Sequence, residues 1–201
     1  MKPLLLERRA FLAGAGLAWL AGLAPAGAEK LLASEILFAA AYLDPEGRYG
    51  VAILDEAGTI ISTHPLPGRG HGFAANPKVE WLVSFARRPG NFAIAMHRRM
   101  AAEPVLFHTP ADRHFYGHGV FSADGRLLYA AENAFETGDG VIGVYDATDG
   151  FRRISEFPTH GVGPHEIVMM PDGRTLCVAN GGIRTHPDQG RQKLNLPSMK
   201  P

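Results

Sequence analysis

Past residue 28 the apolar residues of this 201-residue chain come in short runs, broken by turns of glycine, aspartate and proline. No long stretch there holds the period of about 3.6 residues that marks an amphipathic helix. Runs at 51–54, 59–63, 81–86, 92–97, 105–109, 127–132, 141–145, 153–157 and 175–179, with another near 36–42, therefore predict β-strands. Between them stand pairs such as Asp124-Gly125, Asp149-Gly150 and Asp172-Gly173, which close hairpins because glycine accepts the positive φ of a tight turn.

The strands recur as a unit. Gly70-His71-Gly72-Phe73, Gly117-His118-Gly119-Val120 and Pro164-His165-Glu166-Ile167 align, and their histidines lie 47 residues apart. Each histidine is followed by an apolar strand, a turn and a second apolar strand. Asn133 and Asn180 both stand 15 residues after their histidine, where the first repeat has Ala86. Third and fourth strands complete the units, and the three strands before His71 match the second to fourth strands of one more. A four-stranded antiparallel unit of this length buries both faces only by stacking on copies of itself around an axis, so the pattern predicts an all-β fold of β-propeller blades. A β-sandwich would have no reason to repeat a histidine, strand, turn, strand and asparagine at fixed spacing.

Residues 1–28 read as an export signal and stand apart from the fold. Lys2, Arg8 and Arg9 supply a basic start, residues 11–24 a short apolar stretch, and Ala26-Gly27-Ala28 a small-residue cleavage site. Arg8-Arg9-Ala10-Phe11-Leu12 resembles the twin-arginine signal, with Glu7 in place of its usual serine. The apolar stretch is too short to span a bilayer, so the reading is a periplasmic protein with no membrane span once the signal is removed. Residues 29–201 then carry 17 basic and 19 acidic side chains, a balance that argues against a nucleic-acid partner. They hold about 3.7 repeats of 47 residues.

Residues 164–180, P-H-E-I-V-M-M-P-D-G-R-T-L-C-V-A-N, resemble the repeat of the YVTN and lactonase-like seven-bladed propellers, which runs P-H-x-I/V, then P-D-G, then a strand closing V-A-N. Residues 117–133 match more loosely, with Gly117 in place of the proline. The twin-arginine start, the G-H-G-V-F-S segment at 117–122 and the ending L-N-L-P-S-M-K-P resemble a family of exported bacterial propellers found alongside iron-uptake and imelysin-like proteins. The resemblance implies a binding or accessory protein tied to iron acquisition, with periplasmic iron-uptake proteins as partners. The alternative it carries is a lactonase-like hydrolase acting on a sugar lactone. It also implies seven blades, so residues 29–201 are expected to be the amino-terminal part of a protein of roughly 350 residues.

The candidate chemistry centres on His71, His118 and His165. Equivalent positions in successive blades sit at one height around the axis, so three imidazoles can converge and hold iron or copper, with Glu166 and Glu132 as candidate oxygen ligands. The competing reading makes each histidine a packing residue of the repeat. Strict alternation puts His71 on the side of Phe73, His118 with Val120 and His165 with Ile167, and sends Glu166 to the face opposite His165. Arg69 and Arg113, on loops leading into the innermost strands, are candidates to hold an anionic ligand, and His114 and His160 are placed on similar loops. Cys177, the single cysteine, excludes an intramolecular disulfide and reads as a buried strand residue. No G-x-S-x-G, Walker or H-E-x-x-H motif is present, so no catalytic residue is assigned.

Overall fold

The strand-and-turn pattern folds, in a computed structural model that describes residues 38–76, 78, 80–98 and 102–200, into antiparallel sheets. The export signal read at 1–28 lies outside those residues. Among the described residues no helix is long and apolar enough to cross a membrane. The chain divides at Pro65/Leu66 into two compact units. The first carries a three-stranded sheet of β1 (Phe38–Leu43), β2 (Tyr49–Leu54) and β3 (Ile60–Leu66), in that order.

The second unit holds the repeats. One four-stranded sheet runs β4 (Gly70–Ala75), β5 (Trp81–Ala86), β6 (Phe92–His97), β7 (Val105–His108); the next runs β8 (Arg113–Phe121), β9 (Leu127–Ala134), β10 (Asp139–Asp146), β11 (Arg152–Pro158); β12 (Pro164–Met169) and β13 (Leu176–Asn180) pair as a two-stranded sheet. Each strand pairs with its sequence neighbour, the meander of a propeller blade.

Alternation along the strands sorts side chains into two interfaces. On β9, Leu128 and Ala130 face the β4–β7 sheet and join Val83, Phe85, Phe107, Phe115 and Tyr145 in the main core. Ala131 faces the other way and joins Tyr116, Ile142 and Ile167, against which Leu176 and Val178 pack. Each such fully buried aliphatic or aromatic side chain is worth about 1.5–3 kcal/mol, so the sheets of this unit owe their stability to stacking on one another. Polar contacts fix the stacking register: Asn76 donates its amide to the Ser122 carbonyl at 2.8 Å, and the Phe115 N–H donates to the Gly90 carbonyl at 2.9 Å.

Three expectations change here. Cys177 is exposed: Leu176 and Val178 take the face that packs inward, and alternation turns Cys177 to the other side. Arg113 is the first residue of β8 and not on a loop, and His114 is on that strand too, because β8 is nine residues long against six for β4 and β12. There His114 is fully buried.

Candidate metal centre

Strict alternation fails at the repeat histidines, and that failure creates the site. In β4, three steps from Gly70 to Phe73 face two steps from Ala86 to Ser84 on β5. In β8, four steps from Phe115 to Gly119 face two on β9, and in β12, two steps from Pro164 to Glu166 face one on β13. Each innermost strand thus carries a bulge at its histidine, and a bulge re-aims the side chain it holds. These extra residues break the period-2 alternation on which the packing reading rests.

The re-aimed rings meet. His71, His118 and His165 each offer a ligand nitrogen, and these atoms lie within 4.8 Å of one another. Ring centroids are 5.0 Å apart for His71 and His118, 4.7 Å for His118 and His165, and 6.2 Å for His71 and His165. A tetrahedral metal at about 2.0–2.1 Å from each nitrogen would need them roughly 3.3 Å apart, closer than the 4.8 Å limit within which they lie. Close approach of β4 and β8 depends on glycine: a Cβ at Gly72 would collide with the Gly117 carbonyl oxygen, and one at Gly117 would stand 2.5 Å from His71 Cδ2.

Two of the three rings, His71 and His118, are held toward the neutral form. Burial pushes His71 down to about 4, helped by the neighbouring charges of His118 and Arg87, so its imidazole is neutral at pH 7. Burial also lowers His118, against the opposing pull of Glu166. Glu166 Oε2 lies 3.2 Å from His118 Nδ1, so an N–H there donates to the carboxylate and leaves the lone pair on Nε2. Nε2 is buried and has no hydrogen-bond partner among the described residues. The bulge brings both His165 and Glu166 to His118, where alternation would have parted them.

The other candidates fall elsewhere. Glu132 is fully buried and takes hydrogen bonds from Tyr145 Oη at 2.5 Å and Arg153 Nη2 at 2.9 Å, so its oxygens are committed. Arg113 is committed too, to Glu156 through Nε at 3.1 Å and Nη2 at 2.8 Å, and to Asp112 at 2.6 Å. His114 sits among Thr185 Oγ1 and Asn133 Nδ2, both 3.1 Å from its Nε2, and ties down the segment after β13. His160 is exposed in a loop with φ 58°. Arg69 is exposed, and its charge is felt at His71.

Residues 64–201 match the sequence profile of a family described as Protein of unknown function (DUF1513). The chain belongs to the DUF1513 family. No curated protein matches it. Among solved structures it is similar to the periplasmic gluconolactonase of Pseudomonas aeruginosa, at 17% identity and a TM-score of 0.50, over 77% of this chain and 52% of that one. It is also similar to a protein from Lactobacillus plantarum, at 14% identity and a TM-score of 0.50, over 77% of this chain and 53% of that one. The chain spans about half the length of these structures, and the likeness establishes the fold: this DUF1513 chain is a β-propeller protein.

Sequence reading missed Arg87 and Arg88. Arg87 Nη1 is 3.3 Å from His71 Nδ1, and Arg88 lies over the Tyr116 ring, 5.6 Å from its centroid. The signal was in the repeat: 16 residues after their histidines the second and third units carry Ala134 and Gly181, where the first carries Arg87.

Proposed function

We propose that this protein is an exported, periplasmic propeller that binds a transition-metal ion, iron or copper, through His71, His118 and His165, and acts as a binding or accessory protein in metal acquisition alongside periplasmic iron-uptake proteins. The observation that carries the reading is the convergence of three ligand nitrogens within 4.8 Å on bulges of three successive innermost strands. Neutral imidazole suits iron, copper, zinc and nickel. Glu166 serves as the carboxylate behind His118, orienting the ring and raising its basicity, and such partners are worth about 10–100-fold in metal affinity. Three protein ligands leave a coordination position for something else.

The test is metal content and affinity. Full-length protein purified after native export is expected to carry iron or copper in a one-to-one ratio, and His118→Ala to lose it. Glu166→Gln should retain the metal with an affinity lowered about 10–100-fold. Metal content unchanged in His118→Ala would remove the histidines from any site. A metal-free protein that turns over a sugar lactone would replace this reading with the hydrolase.

A further inference from the structure

Beside the three histidines lies a group of positive charges without counter-charges. The guanidiniums of Arg69, Arg88 and Arg191 all act on Arg87, and Arg87 and Arg69 act on His71. The Arg87 N–H donates to the Arg69 carbonyl at 2.8 Å, which anchors the two backbones together. Five arginines elsewhere find carboxylates, Arg48 with Asp44, Arg98 with Glu80, Arg113 and Arg153 with Glu156, and Arg152 with Asp149, whereas among the described residues Arg126, Arg174 and Arg184 stand singly without one. Among the described residues Arg69, Arg87, Arg88 and Arg191 make no ion pair.

Among these four, Arg87 is the one with a buried donor that lacks a partner. Its guanidinium has five N–H donors and no acceptor of its own. Its side chain has one hydrogen-bond partner, the neutral His71 imidazole, and its Nε is buried without any. A buried, unpaired donor on a charged group is costly, and a half-buried arginine facing only arginines and a neutral ring is more costly still. The arrangement makes sense if an anion belongs there. A guanidinium presents its donors as a planar fork that matches a carboxylate or phosphate edge.

We propose that Arg87 and Arg88, supported by Arg69, form an oxyanion subsite next to the three histidines, taking a small carboxylate- or phosphate-type anion. Such an anion reaches the open position of a metal held by the histidines, so the cation is taken up together with an oxyanion co-ligand. The co-ligand role rests on the metal reading given above; the arginine subsite itself does not. Two sources share this chemistry, a multidentate carboxylate chelator and a free inorganic oxyanion.

Calorimetric titration of the full-length protein with citrate and with inorganic phosphate, in metal-free form and after loading with Cu(II), tests it. Wild type is expected to bind at least one of the two, at least tenfold more tightly when metal-loaded, and less tightly as NaCl rises from 50 to 300 mM. Arg87→Gln/Arg88→Gln should lose at least tenfold in anion affinity. Arg88→Gln alone, checked for an unchanged melting temperature, should lose part of it, and Arg126→Gln, in the β8–β9 turn, none. Citrate binding without phosphate binding supports a chelator source, and equal binding of both supports a free oxyanion. Anion affinity that is equal in wild type and the double variant, or no anion binding by wild type, overturns the subsite and leaves the metal reading standing. Loss of anion binding in the double variant of a protein that takes up no metal keeps the subsite and removes the co-ligand role.

Discussion

Gly117→Ala is expected to lower the free energy of unfolding by about 3 kcal/mol and to displace His71 from the cluster with His118 and His165. Two costs add. Gly117 has φ 101°, outside the range that an L side chain adopts readily, which costs about 1–2 kcal/mol. Its Cβ would also stand 2.5 Å from His71 Cδ2 and 3.1 Å from His71 Cβ. The imidazole can swing away from the first contact. The second involves an atom fixed to the β4 backbone, so the strands must part, at about 1–3 kcal/mol for an overpacked core position. Gly150→Ala isolates the conformational cost, since Gly150 has φ 59° with nothing within 4 Å of an added Cβ, and it should lose only about 1 kcal/mol. Urea denaturation of the two variants gives the comparison, read from midpoints at constant slope. Equal losses would show that β4 and β8 do not close on each other at His71.

Most of the architecture was legible because a repeat reports geometry as well as strands. The spacing of 47 residues put His71, His118 and His165 at equivalent places, and the pairing of Trp81–Ala86 and Phe92–His97 follows the apolar runs without change. The direction of the histidines was not legible. A bulge adds a residue to one strand of a pair, and no residue type marks that addition; only the partner's register reveals it. Reading β4, β8 and β12 with a strict period of two therefore turned the rings toward packing neighbours and parted His165 from Glu166. Cys177 failed for the opposite reason. There alternation holds, and the apolar character of its neighbours belonged to the other face. Glu132 was misplaced because a carboxylate in the strand of a candidate site looks the same whether it faces a ligand or a partly buried arginine two strands away. Arg87 could have been found, since it replaces a small residue of the repeat just after the second strand, where the other units have Ala134 and Gly181, and a departure from a repeat that costs charge calls for an explanation.

Arg153→Met is expected to cost about 3–5 kcal/mol at pH 7, the range for removing one partner of a buried ion pair. Glu132 is fully buried, and Gly143, two residues along β10 from its register partner Val141, leaves the room its carboxylate occupies, since a Cβ there would run into Glu132 Oε1. Burial pushes the Glu132 carboxyl above its ordinary range, and Arg153 and then Tyr145 pull it back. With Arg153 gone only the Tyr145 hydroxyl remains, the carboxyl rises further, and the native state holds a proton that the unfolded chain gives up near 4.5. A native state that binds more protons than the unfolded one loses stability as pH rises. The deficit of the variant relative to wild type should therefore be largest at pH 8 and shrink toward pH 5. Glu156 works in the opposite sense. Arg113, and after it Arg153, hold its carboxyl down to about 2, so its contribution is complete above 4.5 and is lost as pH falls toward 2. Arg113 keeps most of that contribution in the variant, which makes Glu132 the residue that decides the outcome. Adding Glu132→Gln to Arg153→Met removes the unpaired charge while preserving an acceptor for Tyr145, and should recover at least half of the loss and flatten its pH dependence. A double variant no more stable than Arg153→Met would mean that the arginine stabilises the sheet by packing its stem, and that the buried carboxylate is already neutral in the wild type.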